Sequence, residues 1–308
     1  MSAPSALPQA GISDQPAILT EKDYPDLLRS LAERPGKLYV LGRPPDQTPA
    51  LALVGARRPS AYGRRMARAL AREAANRGLA VVSGLAAGID AEAHAGALEA
   101  GGKTWAVLGS GLDRIYPEEN KPLARKILAG GGCLLSEFAP GTPPLPGNFP
   151  RRNRIVSGLC WGVVVVEGRD KSGSLITARL ALGQGREVFA VPGPADSPLS
   201  EAPYILMREG AKPVRCLDDI LEDLPPGLGI GPQAVLSGGP AGAPGAGAGL
   251  SSAEGEILEA MGSEERGLEE LCAATGLAAA ELSAHLFHME LKDLIQSLPG
   301  QRYAKKSS

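Results

Sequence analysis

The chain has 308 residues, of which 44% are hydrophobic and 4% aromatic, and its formal net charge is −2 at pH 7. This length is enough for one large α/β domain and a small second domain, and the near-neutral charge excludes a histone-like polycation while leaving room for a local basic patch. The four cysteines are widely spaced without a CxxC pair, which argues against a zinc ribbon or a redox pair. The lack of a signal peptide or a long apolar run predicts a cytoplasmic protein without membrane contact.

The predicted elements begin after residues 1–15, which are rich in Pro, Ala and Ser and which we expect to be disordered. Residues 20–50 predict a short helix and a strand-like piece. From Leu51 onward, short Val-rich apolar runs alternate with amphipathic segments of helical length. The runs are 51–55, 79–84, 104–109, 133–137, 162–168, 187–193 and a weaker 212–216. Strands that are apolar throughout suit a parallel sheet buried on both faces, so residues 16–224 predict a doubly wound, mostly parallel α/β domain.

The chain changes character at residues 225–252, a stretch rich in Gly, Pro and Ala that predicts a flexible linker. Three segments of helical period and a terminal turn or β-wing follow, so residues 253–308 predict a winged-helix-like domain. Between Glu254 and Asp293 ten acidic residues stand against two basic ones. Such a surface repels phosphate, which favours a protein-contact or self-association role over duplex DNA binding. We expect no metal site, since His285 and His288 lack a further ligand at suitable spacing.

The segments that follow the strands of the main domain nearly all carry a glycine at the strand exit, and several lead directly into helices. Ligands of open parallel sheets bind beyond these carboxyl ends, and helix N-termini attract anions. Arg57, Arg58, Arg151 and Lys171 lie in the same segments. The combination favours a phosphate-bearing ligand.

Two common classes of nucleotide enzyme do not fit these loops. The segment GSGLDR departs from the GxGxxG dinucleotide fingerprint because Arg114 replaces the third small residue, and no acidic residue follows at the distance of a ribose contact. No GxxxxGK[ST] motif exists, so P-loop ATP hydrolysis is not expected. The hydroxyls of Ser172, Ser174 and Thr177 open a predicted helix, where they would hold phosphate without reacting with it.

The segment NFPRRNRIVSGLC places a cluster of arginines beside a lone aromatic. Phe149 precedes a proline and is therefore predicted to be extended, while Arg151 begins a helix whose dipole opposes its charge. One interpretation is internal pairing with Glu137 or Glu167, and Arg154, one turn into the helix, is the expected structural member. The other is a basic groove for a sugar–phosphate chain, with Phe149 stacking on a base.

Six ordered blocks over about residues 22–224 resemble those of the DprA (Smf) family of DNA-processing proteins. They are LALVGARRPSAYG, VVSGLAAGIDAEAHAGAL, GSGLDRIYPEEN, FPRRNRIVSGL, VVVVEGRDKSGSLITARLALGQGREVFAVPG and REGAKPV. The resemblance implies an extended Rossmann-like fold that binds single-stranded DNA. It also implies a homodimer that loads the RecA recombinase onto incoming DNA in natural transformation and recombination, with no enzymatic step and no cofactor.

Carried over by motif, the family's binding loops fall on the glycines, hydroxyls and basic residues of the strand exits. The candidate set for single-stranded DNA and phosphate is Gly55, Arg57, Arg58, Ser60, Ser83, Gly84, Gly88, Gly109, Gly111, Phe149, Arg151, Arg152, Asn153, Lys171, Ser172, Gly173 and Ser174. The candidate loop-supporting set is Asp90, Arg154, Glu167 and Thr177. Asp90 is expected to orient loop N–H groups or an arginine, since an acid does not contact phosphate. No catalytic residue is assigned.

The chain departs from the family pattern in two places. The segment APYILMREGA lacks the asparagine that the family usually shows there, so this loop is expected to contact DNA differently or not at all. The region ahead of the main domain is short, so the helical module that some members carry there is expected to be absent or truncated.

Two alternatives of the same fold class stay open. Cytokinin-activating phosphoribohydrolases carry the signature PGGxGTxxE, but the related position here reads SGSLIT, with Thr177 near the place of the catalytic glutamate. A nucleotide-binding regulator without a DNA role fits poorly with the seven arginines and one glutamate of residues 57–77.

Overall fold

The computed structural model describes residues 16–228, 230, 257–258, 260–262, 266–275, 282, 285–286, 289, 294–298 and 302–305. The chain separates into two compact units, Met1–Ser237 and Gly238–Ser308. The predicted disordered segment 1–15 and most of the predicted linker 225–252 lie outside the described residues. The predicted domain boundaries therefore stay predictions.

The larger unit is an α/β sheet domain. Its strands are β1 Ala17–Leu19, β2 Leu38–Gly42, β3 Ala50–Val54, β4 Ala80–Ser83, β5 Thr104–Val107, β6 Cys133–Ser136, β7 Gly162–Val165, β8 Glu187–Ala190 and β9 Lys212–Pro213. Its helices are α1 Asp26–Arg29, α2 Ala61–Asn76, α3 Ile89–Glu99, α4 Lys121–Ala129, α5 Asn148–Gly158, α6 Gly173–Gly183, α7 Glu201–Arg208 and α8 Leu217–Leu221. The sheet has nine strands in the order β1-β2-β6-β5-β4-β3-β7-β8-β9.

The parallel core of this sheet is as predicted. All seven apolar runs of the sequence become strands, β3 to β9, and these strands pair in parallel. The strand-like piece before them becomes β2, which pairs antiparallel with β6 and with the short edge strand β1. The fold is thus the mostly parallel, doubly wound α/β class that the alternation of the sequence indicates.

Side-chain alternation along the strands decides which helices cover each face. Leu51 and Leu53 of β3 point to the face covered by α2 and α3, while Ala50 and Ala52 point to the face covered by α5 and α6. The residues of α2 that pack toward the sheet are mostly alanines, so the two helices of that face approach closely. This packing explains how a core forms in a chain with few aromatics.

The chain order of the strands creates a crevice. From β3 the chain proceeds outward through β4, β5 and β6, whereas β7, β8 and β9 lie on the other side of β3. The loops that follow β3 and β7 consequently diverge from adjacent strands. Such a switch point is where open parallel sheets bind ligands.

The smaller unit contains β10 Arg266–Gly267, α9 Leu268–Thr275, β11 Ile295–Leu298 and β12 Arg302–Lys305. β11 and β12 form an antiparallel hairpin, and β10 joins β12 at its other edge. The predicted β-wing is therefore present, and the unit has the winged-helix class that its sequence pattern indicates. The buried apolar residues beside it are Ile257, Met261, Leu271, Leu282, Leu286, Met289 and Ile295.

One local prediction is wrong. Phe149 was expected to be extended because a proline follows it, but α5 already begins at Asn148, so Phe149 lies in its first turn. Pro150 is tolerated there because the first N–H groups of a helix have no intrahelical acceptor. Across the described parts of the chain, no helix combines the length and apolarity needed to cross a bilayer.

Candidate functional site

A cavity of about 530 Å³ opens at the switch point, between the loops that follow β3 and β7 and the first turns of α5 and α6. A second cavity of about 360 Å³ shares part of its wall and lies toward the exit of β5. Twelve of the candidate residues line one or both: Gly55, Arg57, Arg58, Gly84, Asp90, Phe149, Arg152, Asn153, Ser172, Gly173, Ser174 and Thr177. Most of the candidate residues chosen at the strand exits thus lie around one concave surface.

The other candidates are not wall residues of either cavity. They are Ser60, Ser83, Gly88, Gly109, Gly111, Arg151, Arg154, Glu167 and Lys171. Ser83 is fully buried and its hydroxyl donates to the carbonyl of Leu53 at 2.7 Å. Gly109 lies against the Phe149 ring, so close that a Cβ there would approach Cδ1 of the ring to 2.9 Å. Ser83 and Gly109 therefore lie beneath the cavity and pack against its wall.

The N-terminus of α2 is already occupied by a carboxylate. Ser60 caps this helix by accepting from the N–H of Gly63, and its own N–H and hydroxyl donate to Glu167 at 2.9 and 2.5 Å. The Glu167 residue is only 4% exposed. Because a carboxylate already satisfies the positive end of this helix, Ser60 is not available to a phosphate.

The N-terminus of α6 is open to the cavity. Ser172 precedes the helix, and its hydroxyl lies 2.6 Å from that of Ser174. The backbone N–H groups of Gly173 and Ser174 have no hydrogen-bond partner among the described residues. Thr177 donates back to the carbonyl of Gly173 at 3.2 Å. Free N–H groups at the positive end of a helix form a site suited to an anion.

Arg152 lies beneath the cavity and is only 5% exposed. Its Nη1 donates to the carbonyl of Gly84 at 2.6 Å and to that of Val107, and its Nε donates to Asn153 at 3.1 Å. Burial lowers the pKa of Arg152 to about 10 in spite of the opposing charge of Asp90. The guanidinium therefore connects α5 to the ends of β4 and β5, with little of it exposed to a ligand.

Asp90 faces Arg152 from the first turn of α3. Its carboxylate accepts from the N–H groups of Gly84 at 3.0 Å and Ala86 at 3.4 Å. Burial raises the pKa of Asp90, and the positive charge of Arg152 and these hydrogen bonds oppose the rise. The carboxylate holds the loop after β4 in place.

Arg57 is the exposed cation of the cavity wall. Its guanidinium carbon lies 5.4 Å from the centroid of the Phe149 ring, within the range of a cation–π contact. The ring of Tyr116 lies on another side of Phe149, with centroids 5.9 Å apart and planes tilted by 47°. Tyr116 was not among the candidates. Its only sequence signal is its place in the loop after β5, ahead of Pro117.

Two of the arginines in α5 pair internally. The carboxylate of Glu137, 4% exposed, accepts from Arg154 at 2.7 Å and lies 3.1 Å from Nη2 of Arg151. Arg151 also lies over the ring of Phe138, at 5.5 Å from the centroid. The pairing with Glu137 that the sequence suggested is thus present. Glu167, the other suggested partner, accepts hydrogen bonds from Ser60 instead.

Several other arginines of α2 and its C-terminus form ion pairs. Arg64 and Arg68 of α2 both approach Glu92 of α3, and Arg77 pairs with Asp218. No group of three or more His, Cys, Asp or Glu side chains suited to a metal ion occurs in the described ranges. The exposed arginines that line the two cavities are Arg57 and Arg58, and neither forms an ion pair with a described residue. The open end of α6 adds positive potential beside them.

Known proteins resemble this chain over most of its length. The family model described as DNA recombination-mediator protein A matches residues 15–225, and that of the DprA winged helix domain matches residues 241–301. Protein Smf of Escherichia coli (strain K12) is 42% identical over 286 residues, covering 90% of this chain and 74% of that protein. DNA processing protein DprA of Bacillus subtilis (strain 168) is 44% identical over 226 residues, covering 72% and 74%.

Solved structures give the same result. The X-ray structure of DprA from Streptococcus pneumoniae superimposes with a TM-score of 0.64 at 40% identity, covering 69% of this chain and 75% of that one. A structure describing the single-stranded DNA binding mode of DNA processing protein A from Helicobacter pylori has a TM-score of 0.61 at 32% identity, covering 68% and 97%. On the first family model and these relatives together, the chain belongs to the DprA (Smf) family of DNA-processing proteins.

Proposed function

We propose that this protein binds single-stranded DNA without sequence preference, through the cavity at the switch point. The observation that carries the proposal is the combination, on one concave surface, of the open N-terminus of α6, the exposed cation Arg57 and two aromatic rings. Phosphate contacts with aromatic stacking are how single strands are bound independently of sequence. The Helicobacter pylori relative is itself described as binding single-stranded DNA, which supports the transfer.

The geometry of the first cavity argues against hydrolysis there. Asp90 is the acidic residue that lines the first cavity, and its carboxylate is committed to loop N–H groups and to Arg152. Thr177, near the place of the hydrolase glutamate, donates its hydroxyl to its own helix. A general base must reach the proton that it removes, and neither group is free to do so. We therefore propose a binding protein and not a phosphoribohydrolase.

The cellular role that we propose is loading of the RecA recombinase onto incoming single strands by a cytoplasmic homodimer. Family membership supports it. Two exposed apolar side chains away from the cavity wall, Leu182 of α6 (51% exposed) and Tyr204 of α7 (57% exposed), are available for a protein contact. RecA filament assembly on strands coated with single-strand-binding protein tests the loading step. Sedimentation equilibrium tests the dimer.

The binding proposal is tested by fluorescence anisotropy with labelled oligo-dT and a matched duplex over a salt series. Arg57→Ala removes the exposed cation of the wall, and we expect it to weaken single-strand binding about tenfold, as for loss of one charge-assisted hydrogen bond. The slope of log affinity against log salt should fall by about 0.7, the value for one single-strand phosphate contact.

Arg125→Ala is the matched control, because Arg125 is an exposed arginine of α4 that lines neither cavity. It makes the same change in net charge and should bind like the wild type. Equal affinity of the wild type for duplex and single strand, or an Arg57→Ala protein with unchanged affinity and slope, would contradict the proposal. Arg152 is not a suitable position for this test, since its burial makes any loss of binding ambiguous with loss of structure.

A further inference from the structure

Part of the wall of the second cavity is formed by residues outside the candidate set. It shares Arg57, Tyr116 and Phe149 with the first cavity, but Pro117 and Glu119 line it alone. These residues follow the exit of β5, which β4 and β3 separate from β7 and from the open end of α6 at the β7 exit. A strand that contacts α6 with one phosphate would continue across the sheet edge into this second cavity.

Of the two aromatic rings between the cavities, Tyr116 is the accessible one. The Phe149 ring has Gly109 on one side, Arg57 over it and Tyr116 beside it. Tyr116 is 45% exposed, and its hydroxyl has no hydrogen-bond partner among the described residues. The exposed part of Tyr116 is therefore available for a base to stack on, whereas Arg57 already covers one face of Phe149. Phe149 itself contacts both Arg57 and Tyr116.

The charges around the second cavity separate a base from its phosphate. Glu119 lies in the wall and forms neither a hydrogen bond nor an ion pair with any residue that the structure describes. A carboxylate repels phosphate but accepts N–H groups of base edges. Arg57 and Arg58 line the same cavity and offer positive charge to a phosphate. The arrangement suits a nucleobase inside the second cavity, with the sugar–phosphate backbone of the strand held at Arg57 and Arg58.

We propose that the second cavity is a nucleobase subsite in which a base stacks on Tyr116 and donates an N–H to Glu119, while the adjoining phosphate lies against Arg57 and Arg58. The proposal rests on the single-strand binding proposed above, and it assigns stacking to Tyr116 in place of Phe149. It also gives the bound strand a path along the sheet edge, between the β7 exit and the β5 exit.

The test compares two labelled oligonucleotides of equal length, one of oligo-dT and one made entirely of abasic sites, which keeps the phosphates and removes the bases. Tyr116→Ala should weaken binding of the intact strand at least fivefold, the lower end of about 1–3 kcal/mol for a base–aromatic stack. Tyr116→Phe keeps the ring and should bind like the wild type. Neither change should alter binding of the abasic strand by more than about twofold, because no base is there to stack.

Ile18→Ala is the control for loss of an exposed apolar side chain, since Ile18 lies on the edge strand β1 and is 56% exposed. It should leave both affinities unchanged. Equal losses on intact and abasic strands in Tyr116→Ala, or no loss on either, would overturn the subsite. A wild type that does not bind the intact strand would instead overturn the function itself, so the two failures are distinguishable.

Glu119→Gln tests the base edge separately. It keeps the shape of the side chain and removes its charge, so we expect weaker binding of the intact strand and unchanged binding of the abasic strand. Tighter binding of both strands would mean that Glu119 repels a phosphate at this place, and the cavity would then not be a base subsite.

Discussion

His94 of α3 is a fully buried imidazole whose hydrogen bonding fixes its tautomer. The hydroxyl of Thr104 donates to the carbonyl of Val81 at 2.8 Å, so it accepts the proton on Nδ1 of His94 at 2.7 Å. Nε2 is buried without a partner among the described residues. Burial, together with the charge of Arg152, lowers the pKa of His94 to about 3. The imidazole is therefore neutral in the folded protein.

This neutral histidine makes stability depend on pH. In the unfolded chain the imidazole has a pKa of about 6.5. On acidification the unfolded state therefore binds a proton at this histidine, whereas the folded state does not. The contribution of His94 to stability is fully present above about pH 6.5 and is lost as pH falls toward the folded pKa, at up to about 1.4 kcal/mol per pH unit.

We expect His94→Asn to remove this dependence, because an amide can still donate to Thr104 but does not titrate. Urea unfolding of both proteins at about pH 7.5 and about pH 5 gives the measurement. The wild type should lose about 1–2 kcal/mol more than the variant between the two values. Asp90 titrates in both proteins, so its contribution largely cancels in the difference. Parallel pH dependences would contradict a buried neutral His94.

Arg152 connects several secondary-structure elements. Its guanidinium donates hydrogen bonds from α5 to the ends of β4 and β5, and it faces Asp90 of α3. Arg152→Met keeps an unbranched apolar side chain but removes the guanidinium, which leaves the Asp90 carboxylate buried without its opposite charge. We expect a loss of about 3–5 kcal/mol in the free energy of unfolding, as for other broken buried pairs.

The double variant Arg152→Met/Asp90→Asn checks the cause of that loss. It removes the unpaired charge as well, so it should be more stable than the sum of the two single changes predicts. Urea unfolding of the four proteins measures the coupling. Additive losses, or an Arg152→Met protein within about 1 kcal/mol of the wild type, would show that the pair does not hold these elements together.

Strands β3 to β8 were predictable because each lies in an apolar run that is long enough to stand out from its surroundings. The edge strand β1 was not, since three residues carry no period. Phe149 shows the limit of a local rule: the proline after it disfavours helix, yet the packing of Ile155 and Val156 into the core extends α5 back to Asn148. Tertiary packing outweighs the preference of one residue.

The site was predictable as a surface but not residue by residue. The exits of parallel strands meet at one edge, so glycines and cations there had to lie close together. Which arginine is exposed depends on what α5 packs against: Arg152 turns inward to Gly84 and Val107, and Arg151 turns to Glu137. Tyr116 could not be predicted as a site residue, because a single aromatic residue in a loop belongs to no periodic pattern. Its place in the site follows from its tertiary position beside Phe149.

At the scale of the whole molecule, charge is divided unevenly along the chain. Residues 1–225 contain 27 basic and 24 acidic residues, whereas residues 226–308 contain five basic and ten acidic ones. All residues that line the two cavities belong to the first part. The winged-helix domain is therefore not needed for the phosphate contacts proposed here, and its acidic character opposes binding of DNA.

A protein ending at residue 225 should consequently bind oligo-dT with an affinity within about threefold of the full chain at physiological salt, where exposed charges are screened beyond about 8 Å. At low salt it should bind more tightly, because removing the acidic region leaves a positive net charge. Anisotropy at two salt concentrations measures both effects, and circular dichroism verifies that the shortened protein is folded. A loss of tenfold or more at physiological salt would mean that the winged-helix domain itself contacts the strand, and the cavities would then form only part of the interface.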